Sequence, residues 1–351
     1  HQTNHILSLS RVEQAKYVWM DRFTMKNLEL FHSPNQNAIT LIDVLDQTQS
    51  AMGSRMLRRW LSLPLKNTEE INQRHEIVDR LINEDSISDK FIEQFKIIGD
   101  LERLISKVAT LRINPRECGV LKDALLALHT VKGICNKSSY KIFKKIASSI
   151  DTCNSLRQKI EKELSDNPPA FIHKGNVIKE GVSKELDDLR LMQKSGKEFL
   201  QNLLEREIKN TGITSLKISF NNVFGYYLEV RNKYKDHVPE QWIRKQTLVN
   251  AERYITEELK EYESKILNAE ERISVLENQI YADLIQYISK YIKPIQINAN
   301  LISKLDCLLS FSLIANKFNY VQPVINESSS LTIKEGRHPV IEQQLPDGES
   351  Y

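Results

Sequence analysis

At 351 residues the chain is too long for one small core, and at roughly 100–200 residues per domain it predicts two or three units. Hydrophobic residues make up 40% and charged ones 27%, and Lys plus Arg at 49 against Asp plus Glu at 46 leaves a net charge of only +3, which does not by itself announce nucleic acid. No stretch reads as the ~20 consecutive apolar residues a membrane span needs, so no membrane partner is expected.

The opening "HQTNHILSLSRVEQ" lacks the apolar centre and small-residue cleavage site of a signal peptide. A start on His1 rather than Met suggests a piece of something longer. From about Asn27 to Asp166 the pattern is one of short amphipathic helices. In "SAMGSRMLRRWLSLPL", Met52, Met56, Leu57, Trp60 and Leu61 recur at helical spacing, and Pro64 stops the run. "TEEINQRHEIVDRLI" follows, with Thr68 as an N-cap and Ile71, Val78, Leu81 and Ile82 on one face. Cys118, Cys135, Cys153 and Cys307 show neither metal-ligand spacing nor a disulfide framework. Three of them sit in apolar helical patterns, so reduced core thiols and a cytoplasmic setting are expected. "SDNPPAF" around Pro168 and Pro169 breaks the helical pattern.

A long helix is predicted from about Ser183 to Lys209, with Leu186, Leu189, Met192, Phe199, Leu203 and Leu204 as its stripe and Gly212 as a left-handed cap. The period then changes from helical to alternating. "SLKISF" places Leu216, Ile218 and Phe220 on one face, and "YYLEVR" does the same with Tyr226, Leu228 and Val230. Gly225 between them supplies the turn of a β-hairpin. A second long helix is predicted from Asn250 onward. Leu259, Ile266, Ile273, Ile280 and Tyr287 are spaced by seven, with Tyr262, Ala269 and Leu276 as the second row. That is a coiled-coil seam. About forty residues at ~1.5 Å each reach about 60 Å. The Ser183–Lys209 helix is its natural antiparallel partner, which would put the hairpin at the tip of a two-helix arm.

Between Ile213 and Thr256 seven basic residues (Lys217, Arg231, Lys233, Lys235, Arg244, Lys245, Arg253) face four acidic ones (Glu229, Asp236, Glu240, Glu252), so this window carries the whole positive excess. Clustered charge is an argument about association. Within "WIRKQTLVNAERY", Arg244 and Lys245 can neutralise phosphates while Gln246, Thr247 and Asn250 can hydrogen-bond to phosphate oxygens. Asn250 also reads as the N-cap of the long helix, beside free amides that favour an anion. On these residues alone two readings stay open: a solvated cap with incidental charge, or a surface that holds a phosphate backbone. Catalytic constellations are not found. The one Gly-Lys pair, Gly196-Lys197, has Leu191 where a phosphate loop needs its first glycine, and Glu198 follows it. The eight histidines are scattered, and His1 with His5 reads as a ragged terminus.

Six stretches in order, "NLELF", "TLIDVLDQTQSAMGSRMLRRWLSLPL", "GNVIKEGVSKELDDLR", "GITSLKISFNNVFGYYLEVRN", "RKQTLVNAERYITEELKEYESKIL" and "GRHPVIE", resemble the MutS family of DNA mismatch repair proteins, from about Asn27 to Glu342. The "DVLDQTQSAMGSRMLRRWL" form is more similar to the mismatch-repair branch than to the branch lacking a mismatch-recognition domain. The resemblance implies a mainly α fragment: a helical core with two long antiparallel lever helices and a small inserted α+β clamp carrying a β-hairpin. Residues 1–19 would be the tail of a connector domain. Residues 20–196 and 257–320 would form the discontinuous core and levers, 197–256 the clamp, and 321–351 the start of an ATPase domain cut before its phosphate loop. It implies double-stranded DNA, mismatched in the full-length context, as a partner, with other MutS domains, a second MutS subunit and a MutL-type repair partner. ATP and Mg belong to the full-length family, so no cofactor and no enzymatic activity are expected of this chain. Tyr351 resembles the aromatic that stacks on adenine, with spacing off by about one residue.

The expected phosphate contacts are Asn221, Asn222, Arg244, Lys245, Thr247 and Asn250, with Lys233 and Lys235 beside them. The competing class is a structural lever or protein-interaction module with no DNA binding of its own. "KFIEQF" contains Phe-x-Glu, which in one DNA-repair family wedges an aromatic into a mismatch; here Phe91 and Phe95 are four apart in a helical pattern, which predicts core packing.

Overall fold

The structure is a computed structural model describing residues 13–35, 38–221, 223 and 225–345. The chain divides into two compact units, one formed by Lys162–Leu284 and the other by the residues on either side of it.

The split unit is helical. Its elements are α1 (Arg22–Asn27), α2 (Leu41–Leu45), α3 (Ala51–Ser62), α4 (Thr68–Asn83), α5 (Asp85–Ile98), α6 (Leu101–Ala109), α7 (Pro115–Lys137), α8 (Lys141–Ser149) and α9 (Asn154–Glu163), the last reaching the unit boundary. Helix starts follow the local chemistry. Asn67, not Thr68, caps α4, its side chain accepting from the Glu70 amide at 2.8 Å. Asn114 and Glu117 form a reciprocal capping box on α7, with Pro115 at the first helical position. Phe91 and Phe95 on α5 are fully buried and stacked at 5.3 Å, and Phe143 of α8 meets Phe91 edge-on at 6.2 Å, as the core reading of that motif expected.

Packing converges on one further helix, Ile292–Phe318, which lies against α3, α4 and α6. It corrects the reading of the sequence in one respect: by length and composition alone it could cross a membrane. In the structure 67% of that apolar window is buried inside the unit. Asn298, Ser303, Asp306, Ser310 and Ser312 are buried along it among its apolar residues, and an exposed face of Lys293, Ile297, Asn300 and Lys304 meets solvent. Asp306 is the anchor. Its Oδ1 accepts from the Gln49 amide at 2.8 Å, and its Oδ2 accepts from the Ser50 amide at 2.9 Å and the Ser50 hydroxyl at 2.7 Å. Ser50 in turn caps α3 by accepting from the Gly53 amide at 3.1 Å. Burial pushes the Asp306 carboxyl up, and these donors pull it back. All four cysteines are buried and none is in a disulfide, and burial pushes the Cys135 and Cys153 thiols up to about 12.

The second unit holds α10 (Lys184–Thr211), a four-stranded antiparallel sheet of β1 (Lys217–Asn221), β2 (Gly225–Arg231), β3 (Ile243–Thr247) and β4 (Ala251–Ile255) in the order β1-β2-β4-β3, and α11 (Glu257–Ser289), whose last residues lie beyond the unit boundary. The helix just described at Ile292–Phe318 is then α12, and Pro339–Glu342 is α13. Ser183 caps α10, and Gly212 ends it at φ 69° in the left-handed region. The two long helices run antiparallel, since contacts descend one as they climb the other: Arg206 with Glu258, Phe199 stacked on Tyr262, Gly196 against Ile266, Gln193 with Glu270, Arg190 with Glu277.

The seam differs from the predicted one in three places. Met192 is 63% exposed, while Gly196 and Leu200 are buried in its stead. The spacing of seven holds through the buried Leu259, Ile266 and Ile273, and then Tyr281 and Leu284 replace the half-buried Ile280. A straight helix drifts against a strict heptad, so the inward face moves on by a residue. The helix also begins at Glu257 and has 33 residues, not about forty from Asn250. Extending the seam back one heptad from Leu259 lands on Glu252, a charged residue, and the stretch before the helix is strand instead.

That strand completes a sheet of which only the first hairpin was predicted. Ile218 pairs with Leu228, and Leu228 with Tyr254. Leu203, Ile213, Leu216, Leu228, Val230, Trp242, Tyr254, Leu259 and Ile266 form the core that joins sheet and helices. The start of β2 lies along α11: the Tyr226 amide donates to Glu263 at 3.3 Å, and Gly225, at φ 76°, leaves the space that the Glu263 carboxylate fills. The opposite end of the sheet, with the β3–β4 turn, is therefore its distal end.

Candidate nucleic-acid interface

At that distal end three segments meet. The 3-10 segment Asn232–His237 follows β2, and the β3–β4 turn lies against it. The Asn232 amide donates to the Asn250 carbonyl at 3.2 Å, and its side-chain amide donates to the Val249 carbonyl at 2.8 Å. Asn250 is thus a turn residue held by Asn232 and is not the cap of α11, which Thr256 provides by accepting from the Leu259 amide at 3.1 Å. The expected anion site at a helix start beside Asn250 is corrected accordingly.

Charged side chains from these segments share one buried acid. Glu252 on β4 is 3% exposed. Its Oε2 accepts a hydrogen bond from the Tyr254 hydroxyl. Its Oε1 lies 3.1 Å from Lys235 Nζ and 3.4 Å from an Arg244 guanidinium nitrogen. The Tyr254 hydroxyl first, and then Lys235, hold the Glu252 carboxyl below its usual range. Burial first, and then the facing carboxylate, push Tyr254 up to about 12. A carboxylate that stays ionised can hold two cations in place.

Lys233, Lys245, Thr247 and Asn250 are exposed at the same end, and Lys233 lies 4.8 Å over the Tyr234 ring. The structure therefore brings together Lys233, Lys235, Arg244, Lys245, Thr247 and Asn250. It does not bring Asn221 to them. That residue sits at the β1–β2 turn, its side chain accepting from the Val223 amide at 2.7 Å, about 20 Å away along β2. Asn222 and Tyr351 lie outside the described residues. Arg253, counted in the basic window, is held inside the sheet by Glu229 at 3.5 Å, Gln246 at 2.8 Å and the Tyr227 ring at 4.4 Å. The expected contacts did not include Arg231, counted only in the basic window and exposed beside Asn232, nor Glu252 and Asn232, which hold the surface together. Nothing in the local sequence marked Glu252, which lies between Ala251 and Arg253 in a stretch read as the start of the long helix. No group of His, Cys, Asp or Glu suited to a metal ion occurs among the described residues.

Residues 23–312 match the family model for MutS domain III. The chain belongs to the MutS family. It is 56% identical to the DNA mismatch repair protein MutS of Flavobacterium psychrophilum, 53% to that of Flavobacterium johnsoniae and 51% to that of Bacteroides thetaiotaomicron. Each comparison takes in 100% of this chain, which spans about 40% of the length of these curated relatives. The chain is thus similar to one part of a MutS protein. The match to MutS domain III takes in the distal end of the sheet, the α10–α11 pair and most of the helical unit.

Proposed function

We propose that this chain is the part of a DNA mismatch repair protein that grips duplex DNA by its backbone, without reading sequence, through the distal end of the β1-β2-β4-β3 sheet. The observation that carries the reading is the convergence of Lys233, Lys235, Arg244 and Lys245, with the hydrogen-bonding Thr247 and Asn250, on one exposed sheet end in a chain of the MutS family. Cations and short polar side chains are what phosphate contacts require, and such contacts position a duplex without specifying it. Asn221, at the other end, is a separate backbone contact in this reading, and Asn222 is proposed as a contact beside it in sequence. The α10–α11 pair is the stiff arm that carries the clamp, and it couples the clamp to an ATPase elsewhere in the protein. ATP and Mg2+ belong to that ATPase and not to these residues, so the chain itself is no enzyme. A second MutS subunit and a MutL-type partner are the protein partners, and the cytoplasm is the setting.

A salt titration of binding to a short duplex tests this. Wild-type affinity should fall steeply as salt rises. Arg244→Glu/Lys245→Glu should weaken binding at least tenfold at low ionic strength and flatten the salt slope by about 0.9 for each phosphate that is no longer neutralised. Equal affinity in the double variant would leave the chain a structural lever that binds other proteins or nothing.

A further inference from the structure

We propose that Glu252 is a positioning residue of the DNA-binding tip, a buried acid that clasps Lys235 and Arg244 into a two-cation seat for one phosphate. The inference rests on the reading of the tip as a DNA surface, and it names what makes that surface more than scattered charge. Lys235 comes from the 3-10 segment and Arg244 from β3, and their side chains are 42% and 61% exposed. Long exposed cations normally wander among rotamers, and ordering them on a ligand has an entropic cost. Here both reach the same oxygen, at 3.1 and 3.4 Å, so their nitrogens stand at most about 6.5 Å apart. Each keeps further N–H donors facing outward, since an ammonium has three and a guanidinium five. One phosphate accepting at about 2.7–2.9 Å from each spans such a gap. The oxygen that holds them is itself fixed. Glu252 pairs with Val230 on one side and Thr247 on the other, and the Tyr254 hydroxyl occupies its second oxygen. One acid against two cations leaves a net charge of +1 at the seat.

Charge alone makes the opposite forecast. Removing a carboxylate from a basic surface raises its positive potential and should tighten binding of a polyanion. Positioning forecasts that Glu252→Gln, which keeps the size and loses the charge, weakens binding. The whole 351-residue chain is titrated against a fluorescent 20-base-pair duplex at low ionic strength, as wild type, Glu252→Gln, Lys235→Ala/Arg244→Ala, and the triple variant. Thermal melts check that each is folded. The expected result is a roughly three- to tenfold loss for Glu252→Gln in the wild-type background and no further loss when both cations are already alanine. Unchanged or tighter binding by Glu252→Gln overturns the inference. So does an equal loss in both backgrounds, which would make the acid a support of the sheet and nothing more. Should Lys235→Ala/Arg244→Ala bind as wild type does, the DNA reading of these residues fails first and the clasp with it. Should it bind worse while Glu252→Gln does not, the reading stands and only the clasp fails.

Discussion

Gly53 and Asp306 meet too closely for any side chain to stand between them: a carbon at the Cβ position of residue 53 would lie 2.2 Å from the Asp306 Oδ2. That oxygen receives the Ser50 amide and hydroxyl at the start of α3, so the glycine is the condition for the anchor. Gly53→Ala should displace Asp306 and destabilise the helical unit by about 1–3 kcal/mol, despite alanine's better helix propensity. Denaturant unfolding of the two proteins measures it. A loss under about 0.5 kcal/mol would show that the carboxylate moves aside freely.

Gly196 and Ile266 make the corresponding close approach between α10 and α11, where an added Cβ would stand 2.5 Å from Ile266 Cγ1. Gly196→Ala should therefore destabilise the helix pair, whereas in an Ile266→Ala background the same change should help, because the clashing carbon is gone and alanine favours helix by up to about 1 kcal/mol. The sign of the effect in the two backgrounds, read from thermal unfolding, decides it. The same sign in both would exclude a direct steric contact.

Phe91 offers a clean separation of packing from recognition. Fully buried between Phe95 and Phe143, it cannot reach a base. Phe91→Ala should cost about 3–5 kcal/mol of stability and leave duplex affinity, measured well below the melting temperature, unchanged. A loss of affinity without a loss of stability would revive the wedge reading of this Phe-x-Glu.

What the sequence revealed follows the range over which burial is specified. The α10 and α11 seams and the first hairpin are legible because one buried face repeats within a few residues, as at Leu259, Ile266 and Ile273 or at Leu228 and Val230. The second hairpin is not. Strand β3 is an edge, exposed at Ile243, Arg244, Lys245 and Thr247, and β4 is central, with Ala251, Glu252, Tyr254 and Ile255 all buried, so neither alternates. Glu252 counted against the basic patch in sequence, while in space it orders two of its cations. Asp306 was invisible for the same reason, its partners Gln49 and Ser50 lying more than 250 residues away.

The Glu252 cluster also sets a direction for pH. The groups facing that carboxyl are Tyr254, Lys235 and Arg244, and they hold it below its usual range. An acid whose folded value is depressed stabilises the fold above its unfolded value and loses that contribution as pH falls through the folded one. The sheet should therefore hold steady from neutral pH down to the ordinary glutamate range, about 4.3, and loosen below it. Glu252→Gln should flatten this acid limb when Trp242 fluorescence follows the tip. An acid transition of equal steepness in both proteins would place its cause elsewhere.

Thr256 and Asn250 carry the last test, because the sequence and the structure assign the start of α11 to different residues. Thr256 accepts from the Leu259 amide, while Asn250 lies in the β3–β4 turn with its carbonyl bound by Asn232. Thr256→Ala removes an N-cap, which costs about 1 kcal/mol and lowers helix stability. Asn250→Ala leaves the helix intact and removes one exposed polar side chain from the distal surface, so it should change duplex affinity by a small factor and the melting temperature hardly at all. Helical circular dichroism through a thermal melt, set beside a binding titration, separates the two. If Asn250→Ala melts early and Thr256→Ala does not, the long helix begins at the β3–β4 turn after all, and the distal sheet end loses the strand that carries Glu252.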